Sequence, residues 1–198
     1  ADSVNHLLVV GFYLINFGIP LLLVVAVFCA FDLTNLDIAF SNLFYDPVAH
    51  VFPLDSSQAF EYFTHKLPRI IPDWTGELAI IGTLLSFLWP RLKHDKHAAV
   101  IAVLQRLWIA PVLKFCARHR RDLLFVVVAF AVSTGVTHFF KSHTGIYCPI
   151  ETTLYGGKHP KLEWFQNLSL LHDAGTGRCW PGGHASGGFT VCALYFVA

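Results

Sequence analysis

The sequence LLFVVVAFAVSTGVTHFF, residues Leu123–Phe140, decides the fold of this chain. It contains no Asp, Glu, Lys or Arg and is followed directly by Lys141. About 20 helical residues cross the roughly 30 Å hydrocarbon core of a bilayer, so an uncharged run of this length is typical of a membrane-spanning helix. The run therefore predicts an α-helix across a membrane that ends beside Lys141.

Further apolar runs lie on both sides of this segment. Leu7–Phe31 is uncharged, Leu78–Pro90 is shorter, and the last run starts near Ala185 and continues to Ala198. The whole chain is 55% hydrophobic and only 14% charged, whereas about a quarter of the residues in a soluble domain are charged. We therefore predict an all-α, polytopic transmembrane helical bundle with about four spans, forming a single membrane-embedded domain over residues 1–198.

The segment Ala98–Leu113 leaves two interpretations open. It is apolar, but Gln105, Arg106 and Pro111 interrupt it and basic residues flank it. Basic amphipathic segments lie in the membrane interface. An interfacial helix is therefore favoured here, and an additional span is the alternative.

The distribution of charge predicts the orientation. Residues 91–121 contain most of the Lys and Arg, whereas Asp32–Glu77 is rich in acidic residues. The positive-inside rule then makes the basic segment cytoplasmic and puts Lys141–His184 on the outer face. No basic tract is interleaved with aromatic residues on a polar face, so nucleic acid is not an expected partner. The sequence indicates no particular oligomeric state.

This topology puts two clusters of residues that could carry out chemistry on the outer face, one at the end of each helix there. The first is Lys141-Ser-His-Thr-Gly-Ile-Tyr-Cys148-Pro149, and the second, Pro181-Gly182-Gly183-His184, precedes the returning helix. A lysine can bind phosphate as a point charge, and a helix that opens with glycines presents unpaired N–H donors to an anion. A histidine in that first turn can donate a proton near neutral pH. Each feature alone is common, but the combination predicts an anion site.

These clusters resemble two motifs of the type-2 phosphatidic-acid phosphatase superfamily, in particular a bacterial membrane-bound subgroup. That family carries Lys-x6-Arg-Pro, then Pro-Ser-Gly-His, then Ser-Arg-x5-His-x3-Asp. Lys141–Pro149 matches the first motif in spacing, with Cys148 in place of the arginine, and Pro181–His184 matches the second, with Gly182 in place of the serine. The third motif does not occur in these 198 residues. We expect it in a continuation past Ala198, within a domain of six helices; a family member that lacks it is the alternative.

The resemblance implies an enzyme of the bacterial inner membrane with its active site facing the periplasm. It would hydrolyse or transfer a phosphoryl group from a lipid phosphate or diphosphate through a phosphohistidine intermediate, without a metal or cofactor. His184 would be the catalytic acid, and Lys141, Gly182 and Gly183 would bind the phosphate. The partners would be the lipid phosphate substrate and membrane lipids. A non-catalytic lipid-phosphate-binding scaffold is the alternative function.

Two further hypotheses concern residues beside the motifs. Cys148 and Cys179 both lie on the outer face, where an oxidising periplasm permits disulfides. A bridge between them would hold Lys141 near His184, and two free thiols are the alternative. Arg178 adjoins the second motif and could supply the phosphate-binding cation that is missing at Cys148; a solvated loop arginine is the alternative. None of the five cysteines forms a CxxC pair, so a structural zinc site is not expected.

Overall fold

The computed structural model of the protein describes residues 2–92, 98–171 and 174–197. Within these ranges the chain is helical, with short 3-10 and π-helical turns, two isolated β-bridges and no strand. It divides into two compact units. The first contains the chain up to Ser56 together with Pro149–Glu163, and the second contains Ser57–Cys148 together with the chain from Trp164 onward. The prediction of a single membrane-embedded domain concerns how these units assemble, and it stays a prediction.

The first unit is built on one continuous helix, α1. It consists of Asp2–Tyr13, the π turn Leu14–Gly18, Ile19–Val27 and the π turn Phe28–Asp32. Pro20 is the second residue after the first π turn, and a proline has no N–H with which to continue the regular α pattern. The apolar side chains of α1 are exposed, as expected for a surface that meets lipid.

The segment Pro149–Glu163 packs on the short helix α2, Leu36–Asn42, within the same unit. The Tyr155 hydroxyl donates to Asn42 Oδ1 at 2.9 Å. Its buried ring lies 4.8 Å from the ring of Tyr45. Lys161 Nζ lies 2.9 Å from Asp37 Oδ2. The residues that follow the first motif are thus held by the N-terminal part of the chain.

The second unit contains the remaining helices. They are α3 (Gln58–Glu61), α4 (Leu67–Ser86), α5 (Leu88–Leu92), α6 (Ala98–Arg106), α7 (Ile109–Arg118), α8 (Arg120–Thr144), α9 (Trp164–Asn167) and α10 (Gly183–Thr190). The π turn Tyr62–Lys66 joins α3 to α4, and α10 continues as the 3-10 turn Val191–Phe196. The unit therefore carries both sequence motifs, at the end of α8 and at the start of α10.

Helix α4 packs closely against α8 because glycines face it. A Cβ at Gly76 would lie 3.2 Å from a ring carbon of Phe130, and one at Gly82 would lie 3.2 Å from the methyl groups of Leu123. Small residues of this kind allow helix backbones to approach each other in membrane proteins. At the other end of the pair, Arg120 donates to the hydroxyl and the carbonyl of Ser86. These contacts fix the position of α4 relative to the first motif.

Two stretches among the described residues are long and apolar enough to cross a membrane. They are Asn5–Asp32 and Arg120–Glu151, which contains α8, with mean hydropathies of 2.5 and 2.1. The predicted helices over Leu7–Phe31 and Leu123–Phe140 are confirmed as helices. The all-α class is also confirmed for the described residues, whereas the count of four spans stays a prediction.

The boundaries predicted for the second apolar run were wrong. The sequence suggested a helix over Leu78–Pro90, but α4 begins at Leu67 and ends at Ser86. Pro68 lies in the first turn of α4, where a missing N–H costs nothing because that N–H would have no helical partner. The prolines and charges of residues 67–77 therefore belong to a helix that begins well before the apolar run.

The segment Ala98–Leu113 is not one helix. It is divided between α6 and α7, which are bent by 101° relative to each other. Trp108 at the break has left-handed backbone angles, with φ of 59°. The pair becomes a third candidate span only if both helices are counted together. The interfacial position of this segment stays a prediction.

Candidate functional site

The C-terminal end of α8 is joined to the loop that precedes α10. Gly145 ends α8 in the left-handed conformation, with φ of 58°, as is common for a residue that follows a helix. Beyond it, the Cys179 N–H donates to the Ile146 carbonyl at 2.9 Å, and the Ala174 N–H donates to the Ser142 carbonyl at 3.0 Å. The two segments therefore run together over several residues.

The structure contains a disulfide between Cys148 and Cys179, whose Cα atoms are 5.0 Å apart. It links the segment after α8 to the loop before α10, which the backbone hydrogen bonds also join. The three remaining cysteines, Cys29, Cys116 and Cys192, are free. The bridge thus connects the end of the first motif to the residue that lies just before the second.

A close backbone crossing and an aromatic stack complete the junction. A Cβ at Gly177 would lie 2.3 Å from the Gly145 carbonyl oxygen, so only glycine fits there. The Trp180 ring stacks on Trp164 with centroids 4.7 Å apart and planes 2° apart. Thr144, which is fully buried, donates its hydroxyl to the Phe140 carbonyl. The loop before α10 is therefore seated on the end of α8.

This junction brings Lys141 to the start of α10. Gly182 is the N-cap of α10 and Gly183 is its first residue. A Cβ at Gly183 would lie 3.4 Å from Lys141 Nζ, so the ammonium group lies against the first turn of the helix. The N-cap residue is a glycine and so has no side chain with which to cap that helix end. The cation and the unpaired N–H donors of α10 are thus adjacent, as an anion site requires.

A cavity of about 420 Å³ opens at this point. Its lining includes three residues that the sequence motifs contain, Lys141, Gly183 and His184. Hydroxyl groups of Ser133 and Thr190 also line it and are joined by a hydrogen bond of 2.8 Å. The cavity lies wholly within the second unit. Lys141 and His184, which are far apart in sequence, therefore share one open space.

Arg178 is placed differently from the other predicted residues. Its Nη1 atom donates to the carbonyls of Gly175 and Gly177, at 2.6 and 2.7 Å. It is not among the residues that line the cavity with Lys141. In this arrangement its guanidinium holds the backbone of the loop that precedes α10.

Sequence reasoning missed two residues that face the same space from α4, and it weighed His65, in the π turn before α4, only as a residue at the entrance. Arg69 and Asp73 line the cavity with Lys141 and His184, and His65 lines an adjoining cavity with His184. The ring centroids of His65 and His184 are 4.9 Å apart. The spacing of Arg69 and Asp73, one helical turn apart, was the signal that could have found them.

The surroundings of His184 lower its pKa below the ordinary value. Partial desolvation of the ring is the largest cause, followed by the positive charges of protonated His65, of Arg69 and of Lys141, whereas Asp73 acts in the opposite direction. The lowered pKa favours the neutral ring of His184 when no anion is bound, and a bound anion would favour its protonation.

Among the described residues no group of three or more His, Cys, Asp or Glu side chains is arranged to hold a metal ion. The cationic groups Lys141 and Arg69 are the ones that face the cavity. Cationic side chains and the imidazole of His184 at one cavity can bind an anion and transfer a proton.

No family model, curated protein or solved structure matches this chain.

Proposed function

We propose that this chain binds the phosphate group of a lipid phosphate or diphosphate at the outer face of a membrane, as part of an enzyme of the type-2 phosphatidic-acid phosphatase kind. The observation that supports this most directly is the shared cavity of Lys141 and His184 at the start of α10. Lys141 follows directly on the apolar part of α8. At the end of a helix that spans the membrane, an ammonium group lies at the level of the lipid headgroups.

The residues of this chain would bind and protonate the substrate. Lys141 and the N–H groups that begin α10 would offset the negative charge on the phosphoryl oxygens, which is the main contribution that such sites make. His184 would give its proton to the lipid oxygen as the bond between that oxygen and phosphorus breaks. The electron pair of that bond stays on the departing oxygen. The lipid leaves as a neutral alcohol when the substrate is a monophosphate, and as a lipid monophosphate when the substrate is a diphosphate.

The resemblance assigns the attack on phosphorus to a histidine in the segment Ser-Arg-x5-His-x3-Asp, which these 198 residues do not contain. A ring nitrogen of that histidine would donate its electron pair to phosphorus and form a phosphohistidine. Water, or the hydroxyl of a second lipid, would then take the phosphoryl group. The present chain accordingly supplies the acid and part of the phosphate-binding cradle.

Binding is the first test, because it does not require the nucleophile. The chain in lipid nanodiscs is titrated with dihexanoyl phosphatidic acid and, separately, with dihexanoylglycerol, which lacks the phosphate. We expect tighter binding of the phosphatidic acid and a loss of that preference in Lys141→Gln. Arg121→Gln is the charge-matched control, since Arg121 lies about 20 residues earlier on α8 and so about 30 Å away. Equal affinity of the wild-type chain for the two lipids would refute the proposal.

Catalysis is tested with the complete gene product and a panel of lipid phosphates and diphosphates. Release of inorganic phosphate, with a phosphohistidine trapped by acid-free quenching, supports the enzyme. Phosphate binding without release or transfer supports the scaffold alternative. The 198-residue chain alone is expected to release no phosphate; release by it would contradict the phosphohistidine route.

A further inference from the structure

Helix α4 directs one face of its N-terminal half towards the motif-bearing helices. Arg69, Pro72, Asp73 and Gly76 follow the spacing i, i+3, i+4, i+7, which lies along one side of a helix. Gly76 meets Phe130 of α8, and the Cβ of Pro72 lies 3.9 Å from the position that a Cβ would take at Gly187 of α10. Arg69 is therefore on the face that packs against both motif-bearing helices, one turn beyond the point of contact.

The position of Arg69 agrees with a role at the anion site. It lines the cavity with Lys141, Gly183 and His184, and its charge acts on the imidazole of His184. Its Nε atom forms an ion pair with Asp73 at 3.6 Å, and both side chains are more than half exposed. An exposed pair of this kind on one helix contributes little. Among the described residues, no hydrogen bond is made by the two terminal nitrogens of the guanidinium, and these suit bidentate binding of a phosphate.

Resting on the proposed function, we propose that Arg69 is the second phosphate-binding cation of this site. The first motif has a cysteine at position 148, where the family that it resembles has an arginine, and Cys148 is engaged in the disulfide. Arg178, the other arginine near the motifs, donates to loop carbonyls. Arg69 reaches the same cavity from α4, so the cation that the motif lacks comes from a different helix. Its ligand is a phosphate monoester or diphosphate dianion, and the guanidinium leaves Asp73 to bind it.

The experiment measures dissociation constants of the full chain in detergent micelles at constant ionic strength. The probes are inorganic phosphate and dihexanoyl phosphatidic acid, which separate a free anion from a lipid headgroup. Because a charge-assisted hydrogen bond is lost, Arg69→Gln should weaken binding of both probes by about ten- to a hundredfold. Arg69→Lys should fall between Arg69→Gln and the wild type, because lysine binds as a point charge and not through a planar fork.

A second variant separates binding from a structural role of the ion pair. Asp73→Ala removes the partner of Arg69 but leaves the guanidinium in place. If Arg69 binds phosphate, Asp73→Ala should bind it more tightly than the wild type, since a competing carboxylate is gone. If Arg69 only holds α4 in place through the pair, Asp73→Ala should lose binding as Arg69→Gln does. That second result would overturn the proposal.

The outcomes for Arg69 and for the proposed function are distinguishable. If the wild-type chain binds neither probe, the proposed function itself is refuted. Suppose that the wild-type chain binds phosphate, that Lys141→Gln loses this binding and that Arg69→Gln keeps it within twofold. This result would agree with the proposed function and overturn the role of Arg69. Arg121→Gln controls for net charge and should stay within twofold of the wild type. Arg178→Gln tests the competing assignment: weakening equal to that in Lys141→Gln, with Arg69→Gln unaffected, would assign the second cation to Arg178.

Discussion

The substitution Gly177→Ala tests whether the loop before α10 is seated on the end of α8 as described. A Cβ at this buried position would lie 2.3 Å from the Gly145 carbonyl oxygen and 2.5 Å from the carbonyl carbon of Ile146. Ordinary contacts between such atoms are about 3.5 Å or longer. One methyl group would therefore force two backbone segments apart by about 1 Å, and no flexible side chain is available to absorb the shift.

The expected cost follows from what that shift breaks. Overpacking by a single carbon costs about 1–3 kcal/mol. Moving the segments apart also weakens the bond from the Cys179 N–H to the Ile146 carbonyl, and an unmade buried hydrogen bond costs about 1–3 kcal/mol. We therefore expect Gly177→Ala to destabilise the protein by about 2–5 kcal/mol. For a chain of this size each kcal/mol lowers Tm by about 2–4 °C.

The same substitution at Gly188 is the matched control and should have the opposite sign. A Cβ at Gly188, inside α10, meets nothing within 4 Å, and Gly→Ala inside a helix stabilises by about 0.5–1 kcal/mol. Thermal unfolding is followed with a fluorogenic maleimide that reacts with buried Cys116, after Cys29 and Cys192 are changed to serine. The near-ultraviolet circular dichroism of the Trp164–Trp180 stack reports the loop itself. Equal Tm for Gly177→Ala and Gly188→Ala, with the stack signal retained, would refute the reasoning.

Three further predictions concern the same region. Replacing Cys148 and Cys179 by serine should destabilise the chain by about 3–4 kcal/mol, since the bridge spans 31 residues; an unchanged thermal midpoint would contradict this. Binding of sulfate, whose charge is constant from pH 5.5 to 7.5, should tighten as the pH falls, because His184 has a lowered pKa and gains its proton when the anion binds; His184→Gln should reduce this pH dependence in equilibrium dialysis, and an unchanged dependence would contradict the role of His184. Gly182→Ser has room, since the atom nearest to a Cβ there is the Ala185 Cβ at 3.8 Å, and a serine N-cap should stabilise α10 by a few tenths of a kcal/mol and tighten phosphate binding in the same titration.

The sequence predicted the parts of the site that depend on local pattern. An uncharged run that ends in lysine marks α8 and the position of Lys141, and a glycine pair before a histidine marks the start of α10. Both signals are short in range, since helix ends depend on a few neighbouring residues. The distance between the two ends depends on the loop of residues 145–181, whose path no periodicity reveals.

Arg69 and Asp73 could not be placed because the prolines around them are usually found outside helices. Pro68 and Pro72 both lie in α4, and Pro72 is buried in its interior. A proline there loses one backbone hydrogen bond, which packing against α10 offsets at Gly187. Sequence pattern reveals the prolines but not the packing around them, so the apolar run predicted a helix only from Leu78 onward. Packing against α8 and α10 therefore determines the position of α4, the helix that brings Arg69 and Asp73 to the cavity.

The cations at this site have two opposing effects. Lys141 and Arg69 would attract a phosphate, and the same positive charges, after partial desolvation of the ring, lower the pKa of His184. Too many cations would keep His184 neutral even with a substrate bound, and the site would then lack an acid. A phosphate dianion that binds beside the ring reverses the balance, because its negative charge favours the imidazolium. Asp73 acts in the same direction on His184 and also holds Arg69 when the site is empty. On the proposed function, the proton that leaves with the lipid oxygen is therefore one that His184 acquires as the phosphate binds.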